Sequence, residues 1–217
     1  MKNGDLPTRA PLSADLVVGF DLDMTLVDSR AGVHATLLAL SAETGVFIDP
    51  DVVVARLGPP LEQEMAEWFP AASVAEASDR YLALFETHGF DGALALPGAK
   101  AALQAVADAS GRSVVVTARY EPHARALLAT TGLVVDRVIG WRYGARKGEA
   151  LAEERAAVYV GDSPADVVGA RTCGAVSIAV ASGPHDAGEL RVSGADVVLA
   201  SLAEFPTWFA GWRRRQP

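Results

Sequence analysis

The stretch that most restricts how this chain can fold is residues 16–29, LVVGFDLDMTLVDS. An apolar run, Leu16-Val17-Val18-Gly19-Phe20, halts at two acids one residue apart, Asp21 and Asp23. A short Val-rich run bounded in this way predicts a strand covered on both faces. The C-terminal rim of such parallel strands is where ligands bind. Two carboxylates turned into one crevice repel each other, so that rim calls for a cation or for altered proton affinity. Capping the loop after the strand is the plainer role for both aspartates, since Asp is common in turns. The acids further along the chain weigh against it.

Residues 1–14, with Asn3-Gly4, Pro7 and Pro11, read as a flexible tail ahead of a first core segment over 15–29. From 30 to 93 the texture is helical. Val33, Leu37, Leu38 and Leu40 form a stripe ending near Gly45, and Asp49-Pro50-Asp51 starts a helix with proline in its first turn. Pro60 opens a further segment, and Ser73-x-x-Glu76 has the pattern of a capping box before a helix that ends at Gly89. Asp28 and Ser29 read as the cap of the first helix in this block. Over 94–217 strands and helices alternate: strands are expected at 113–116, 134–139, 156–160, 175–180 and 195–199, with helices at 121–131 and 164–173 among them. That rhythm predicts an α/β fold with a Rossmann-like parallel sheet. The helical block then reads as an insertion, an all-helical cap over the acidic edge.

The residues of chemical interest fall at strand ends. Asp21 and Asp23 end one strand, Thr117 and Ala118 another, and Gly161-Asp162 a third, with Lys147 in the loop and helix start before that third strand. FDLDMTLVDS resembles the first motif of the haloacid dehalogenase superfamily, with Met24 where the family most often has glycine. Val115-Val116-Thr117-Ala118 resembles the second motif, Lys147-Gly148 the third, and Gly161-Asp162-Ser163-Pro164-Ala165-Asp166 the fourth. The order is the family's over nearly the whole chain. The insertion point and Arg56-Leu57-Gly58-Pro59-Pro60-Leu61 resemble the helical-cap branch that includes phosphoglycolate phosphatases.

The resemblance implies a Mg²⁺-dependent phosphatase acting on a small-molecule phosphate ester. Asp21 would attack phosphorus and form an aspartyl-phosphate, and Asp23 would serve as acid and then base. Asp21, Asp162, Asp166 and the Asp23 backbone carbonyl would hold Mg²⁺, an all-oxygen set that suits a hard cation. Thr117, Ala118 and Lys147 would bind the phosphoryl group, with Arg56 as a further substrate contact. Asp166 also fits a plain helix-start charge, and Arg119 an ordinary surface arginine. A side chain at Met24 is expected to reshape the turn or the entrance.

A formal net charge of −8 argues against a nucleic-acid partner. No apolar run approaches the roughly 18 residues of a membrane span, and the first residues lack the apolar stretch of a signal peptide, so a cytoplasmic location is expected. One cysteine, Cys173, excludes an internal disulfide, and His34, His88, His123 and His185 show no ligand-like pairing. Oligomeric state has no signature here, monomer or dimer. A sugar-phosphate mutase would use both aspartates in the same way, and a non-catalytic phosphate-binding relative is the bland alternative. A receiver-type signalling domain would lack the large insertion after the first strand. A serine-hydrolase elbow at Gly161–Ala165 would need glycine at its fifth position.

Overall fold

The computed structural model describes residues 16–216; the tail expected over 1–14 lies outside the described residues. Six strands form one parallel sheet: β1 (Val17–Phe20), β4 (Arg112–Val116), β5 (Arg137–Ile139), β6 (Val158–Gly161), β7 (Val176–Val180) and β8 (Val197–Leu199). Their spatial order is β5-β4-β1-β6-β7-β8. β1 sits at the centre because it can be covered on both faces; all four of its residues are buried. β4 starts one residue before the strand expected at 113–116, whereas β5, β6, β7 and β8 start later than their apolar runs suggest. Val134, for example, is 85% exposed before β5 begins.

Alternation along the strands divides the core. Val18, Phe20, Val115, Val160 and Ile178 face one way, toward α5 (Ala99–Asp108), α6 (Glu121–Thr131) and α10 (Phe205–Arg213). Val17, Val114, Val116 and Tyr159 face the other, toward α7 (Ala145–Glu153) and α8 (Pro164–Cys173), with Cys173 packed at that cluster's edge. α9 (Ala187–Val192) connects β7 to β8.

Four α-helices lie between residues 29 and 93 of the chain: α1 (Arg30–Thr44), α2 (Pro50–Ala55), α3 (Leu61–Ala66) and α4 (Val74–His88). They leave and return through a two-stranded antiparallel pair, β2 (Val27–Asp28) with β3 (Leu94–Ala95). A two-residue strand carries no periodicity, so this pair was not expected from the sequence. α2 starts as anticipated, with the Asp49 side chain accepting from the backbone N–H groups of Asp51 (3.0 Å) and Val52 (3.4 Å).

Three local expectations need correction. Ser73 does not close a capping box. A 3₁₀ turn over Ala71–Ser73 already curls the backbone there, and no side-chain cap bond forms. Ser29 occupies the cap position of α1 without capping it, because its hydroxyl turns to Asp23; Asp28 accepts from the Arg30 N–H at 3.2 Å instead. Leu38 is 51% exposed, whereas Val33, Leu37 and Leu40 are buried.

Candidate active site at the sheet rim

Strand register brings the site together. Phe20 pairs with Val115 on one side and Val160 on the other. The chains therefore emerge at one level, with Asp21 flanked by the ends of β4 and β6. The Asp21 N–H donates to the Val160 carbonyl at 2.8 Å, fixing the first residue beyond the strand. Thr117 and Asp162 are each two residues past their paired positions, and both are buried. Lys147, three residues into α7, reaches the same spot from one face of the sheet.

Asp21, Asp162 and Asp166 each offer an oxygen, and these oxygens lie within 4.8 Å of one another. Lys147 Nζ donates to Asp21 Oδ1 (2.8 Å) and Asp166 Oδ1 (2.6 Å). Asp166 accepts further bonds from Tyr159 Oη (3.2 Å), from Ser163 Oγ (2.6 Å) and from Ser163 N (3.0 Å), the last being half of the capping box that starts α8. Thr25 Oγ1 donates to Asp162 Oδ1 at 3.1 Å. Two glycines make room for this packing. A Cβ on Gly161 would lie 2.3 Å from Asp166 Cγ, and one on Gly183 would lie 1.8 Å from Asp162 Oδ2.

The electrostatics follow from burying three acids beside one lysine. Burial pushes the Asp21 carboxyl up to about 7; Lys147 pulls it back, while Asp166 and Asp23 add repulsion. Asp162 is raised well above the usual range by burial and by Asp166 and Asp21. Burial alone would lower Lys147, but Asp166 and Asp21 outweigh it and hold the ammonium above its ordinary value. Fully ionised, the three acids would carry more negative charge than their one lysine offsets, and the raised carboxyls answer that excess by holding protons until a cation replaces them. A buried, all-oxygen donor set with that imbalance fits a hard divalent cation.

Asp23 stands apart, at the wall of a neighbouring cavity. Arg119 grips it as a fork, Nε to Oδ2 at 2.9 Å and Nη2 to Oδ1 at 2.8 Å, and the Ser29 hydroxyl donates to Oδ1. Arg119 is no surface arginine. Its side chain is 8% exposed and packs over the Phe85 ring, 4.6 Å from the centroid. Met24 adopts φ +58°, the left-handed region where glycine is at ease, and is 4% exposed. Its carbonyl accepts from Ser182 Oγ at 2.6 Å, which helps hold the turn. The cavity beyond Asp23, about 80 Å³, lies between the rim loops, including Ala118 and Arg119, and the four inserted helices.

Of the residues singled out from the sequence, Asp21, Asp162, Asp166 and Lys147 form one cluster, in which Lys147 bonds Asp21 and Asp166, and Thr117 directly follows the adjacent strand. Ala118 lines the cavity with Asp23. Arg56 is committed elsewhere: Nη2 donates to Glu64 Oε1 at 2.7 Å, and Glu64 also accepts from Trp68 Nε1 at 2.8 Å. Thr25 and the Arg119–Ser29 grip were missed. Thr25 lies within the segment that resembles the family's first motif, four residues after Asp21, whereas the one signal for Arg119 was its place two residues after Thr117, just past a strand end.

The family model for haloacid dehalogenase-like hydrolases matches residues 18–171. The chain is 31% identical to a phosphoglycolate phosphatase of Rhodospirillum rubrum over 214 residues, covering 87% of this chain and 88% of that protein. Among solved structures, a predicted phosphatase from Clostridium acetobutylicum superposes with a TM-score of 0.79 at 24% identity, covering 92% of this chain and all (100%) of the other. A haloacid dehalogenase-like family hydrolase from Streptococcus pneumoniae gives 0.78 at 23%, covering 91% and 100%.

Proposed function

Because this chain belongs to the haloacid dehalogenase-like hydrolase family, we propose that it is a Mg²⁺-dependent phosphatase that cleaves a small phosphomonoester through an aspartyl-phosphate on Asp21. The observation that carries this reading is the buried cluster itself. Oxygens of Asp21, Asp162 and Asp166 lie within 4.8 Å of one another, with Lys147 bridging two of the acids. The phosphatase name of the Rhodospirillum rubrum relative supports the choice of phosphoryl chemistry.

Phosphoryl transfer needs positioning and charge neutralisation more than covalent work from many groups. Lys147 holds Asp21 Oδ1, which leaves Oδ2 to attack phosphorus in line. As the bond from phosphorus to the alcohol oxygen breaks, Asp23 gives that oxygen a proton. Asp23 then takes a proton from the water that attacks the aspartyl-phosphate, and Asp21 is regenerated. Arg119 and Ser29 position Asp23 for both transfers. The Thr117 hydroxyl and Lys147 bind phosphoryl oxygens. Asp21, Asp162 and Asp166, with the Asp23 carbonyl, would hold a Mg²⁺ ion, and the chemistry such an ion would supply there is neutralisation of phosphoryl charge. Asp166 accepts four protein hydrogen bonds, so its first task is to hold Lys147 and start α8. The inserted helices act as a cap that covers the leaving group and excludes water.

The test is hydrolysis of p-nitrophenyl phosphate with Mg²⁺ and with EDTA, repeated for Asp21→Asn. EDTA is expected to abolish turnover, and Asp21→Asn to lower kcat by about a thousandfold or more. Metal-independent turnover, or an Asp21→Asn enzyme as active as wild type, contradicts the proposal. With a sugar phosphate as substrate, inorganic phosphate is the expected product; an isomerised sugar phosphate would mark a mutase.

A further inference from the structure

His123, on α6, lines the cavity beside Asp23, is 2% exposed, and has no hydrogen-bond partner on either ring nitrogen among the described residues. Three aromatic side chains lock its ring: Phe85 stacks at 4.7 Å between centroids, Tyr120 packs edge-on at 5.0 Å and Phe90 edge-on at 6.1 Å. A buried polar group without a partner is costly and calls for an explanation. Burial and nearby Arg119 push the imidazole down to about 4, so near neutral pH it offers one donor and one acceptor and no charge.

Beside the Tyr81 and Tyr120 side chains, much of the rest of the wall is apolar. Val33, Leu37, Val53, Leu57, Met65 and Trp141 make up much of the lining. Arg119 is the one permanently charged cation among the described lining residues, and it is engaged by Asp23, Ser29 and Tyr81. The two lining acids, Asp23 and Glu64, are each gripped by an arginine. A second anionic group on a substrate would therefore meet apolar walls and two carboxylates, with no cation to spare.

We propose that this cavity selects phosphomonoesters whose leaving alcohol is small, uncharged and largely apolar, and that His123 hydrogen-bonds a single hydroxyl or carbonyl on it. The inference rests on the phosphatase reading above and sharpens it. It also sets this chain apart from its Rhodospirillum rubrum relative, whose named substrate carries a carboxylate. The volume sets the scale. About 80 Å³ makes this a small cavity, which limits the size of the leaving group it can enclose.

The test compares butyl phosphate, 4-hydroxybutyl phosphate and 3-carboxypropyl phosphate, three esters of matched length, with p-nitrophenyl phosphate run alongside. Wild type is expected to favour the two uncharged esters over the carboxylate by at least about tenfold in kcat/KM. His123→Phe keeps the ring stack and removes both nitrogens. It is expected to lower kcat/KM for 4-hydroxybutyl phosphate by about tenfold relative to butyl phosphate. A carboxylate ester that matches or exceeds the others, or a His123→Phe effect equal on both uncharged esters, overturns the proposal while the phosphatase reading stands. Failure to cleave any of the four esters overturns the phosphatase reading, and this inference with it.

Discussion

Met24 shows how opposed terms at one residue can be weighed. Its φ of +58° is uncommon for a residue with a Cβ, and holding it there costs on the order of 1 kcal/mol. Yet its side chain is 4% exposed, and burying a methionine contributes about 1.5–3 kcal/mol. Glycine would remove the strain, lose the packing and add unfolded-state entropy. Met24→Gly is therefore expected to lower unfolding free energy by about 1–2 kcal/mol, measured by urea denaturation. A gain in stability would mean that strain dominates. At this scale the sequence was readable where chemistry and position coincide: an Asp directly after a Val-rich run declares itself. It was silent where a long side chain spans the site. Nothing near Arg119 in the chain indicates that its guanidinium will meet Asp23, 96 residues away.

At the scale of elements, the positions of the strands along the chain could be anticipated because each strand is a short apolar run that stops abruptly, and the stops are where the functional groups sit. Capping was less readable. The Ser73-x-x-Glu76 pattern fails because a 3₁₀ turn precedes it, while Ser163 and Asp166 form a capping box inside a segment chosen for its acids. α6 supplies a test of packing at this level. The His123 imidazole is held at a pKa of about 4, below its ordinary 6.5, by burial first and Arg119 second. Between those values the unfolded chain binds the extra proton, so stability is full above pH 6.5 and declines as pH falls toward 4. The loss attributable to this residue is on the order of 2–3 kcal/mol. Subtracting the His123→Phe stability profile from that of wild type isolates it; parallel profiles across pH 4–7 would mean that the imidazole is not held neutral.

At the scale of the molecule, a central strand flanked by β4 and β6 delivers three chain segments to one rim, and α1 to α4 cover it. The rim was legible because parallel sheets collect ligands at one edge. The lining of the cavity was not, because it is built from helices whose packing leaves no motif. Folding has buried three acids against a single lysine, so a bound divalent ion should stabilise the native state by mass action, by about 2.7 kcal/mol at a concentration a hundred times its Kd. Mg²⁺ is expected to raise the thermal midpoint of wild type and to leave that of Asp162→Asn nearly unchanged. Equal shifts in both proteins would place the ion elsewhere.

The most direct check on covalent catalysis at this rim is rapid acid quenching of turnover, followed by mass spectrometry of the peptide that contains Asp21. The mechanism predicts a transient gain of one PO₃H unit on that peptide in wild type and none in Asp21→Asn. Turnover at full rate with no adduct on Asp21 at any quench time would contradict it.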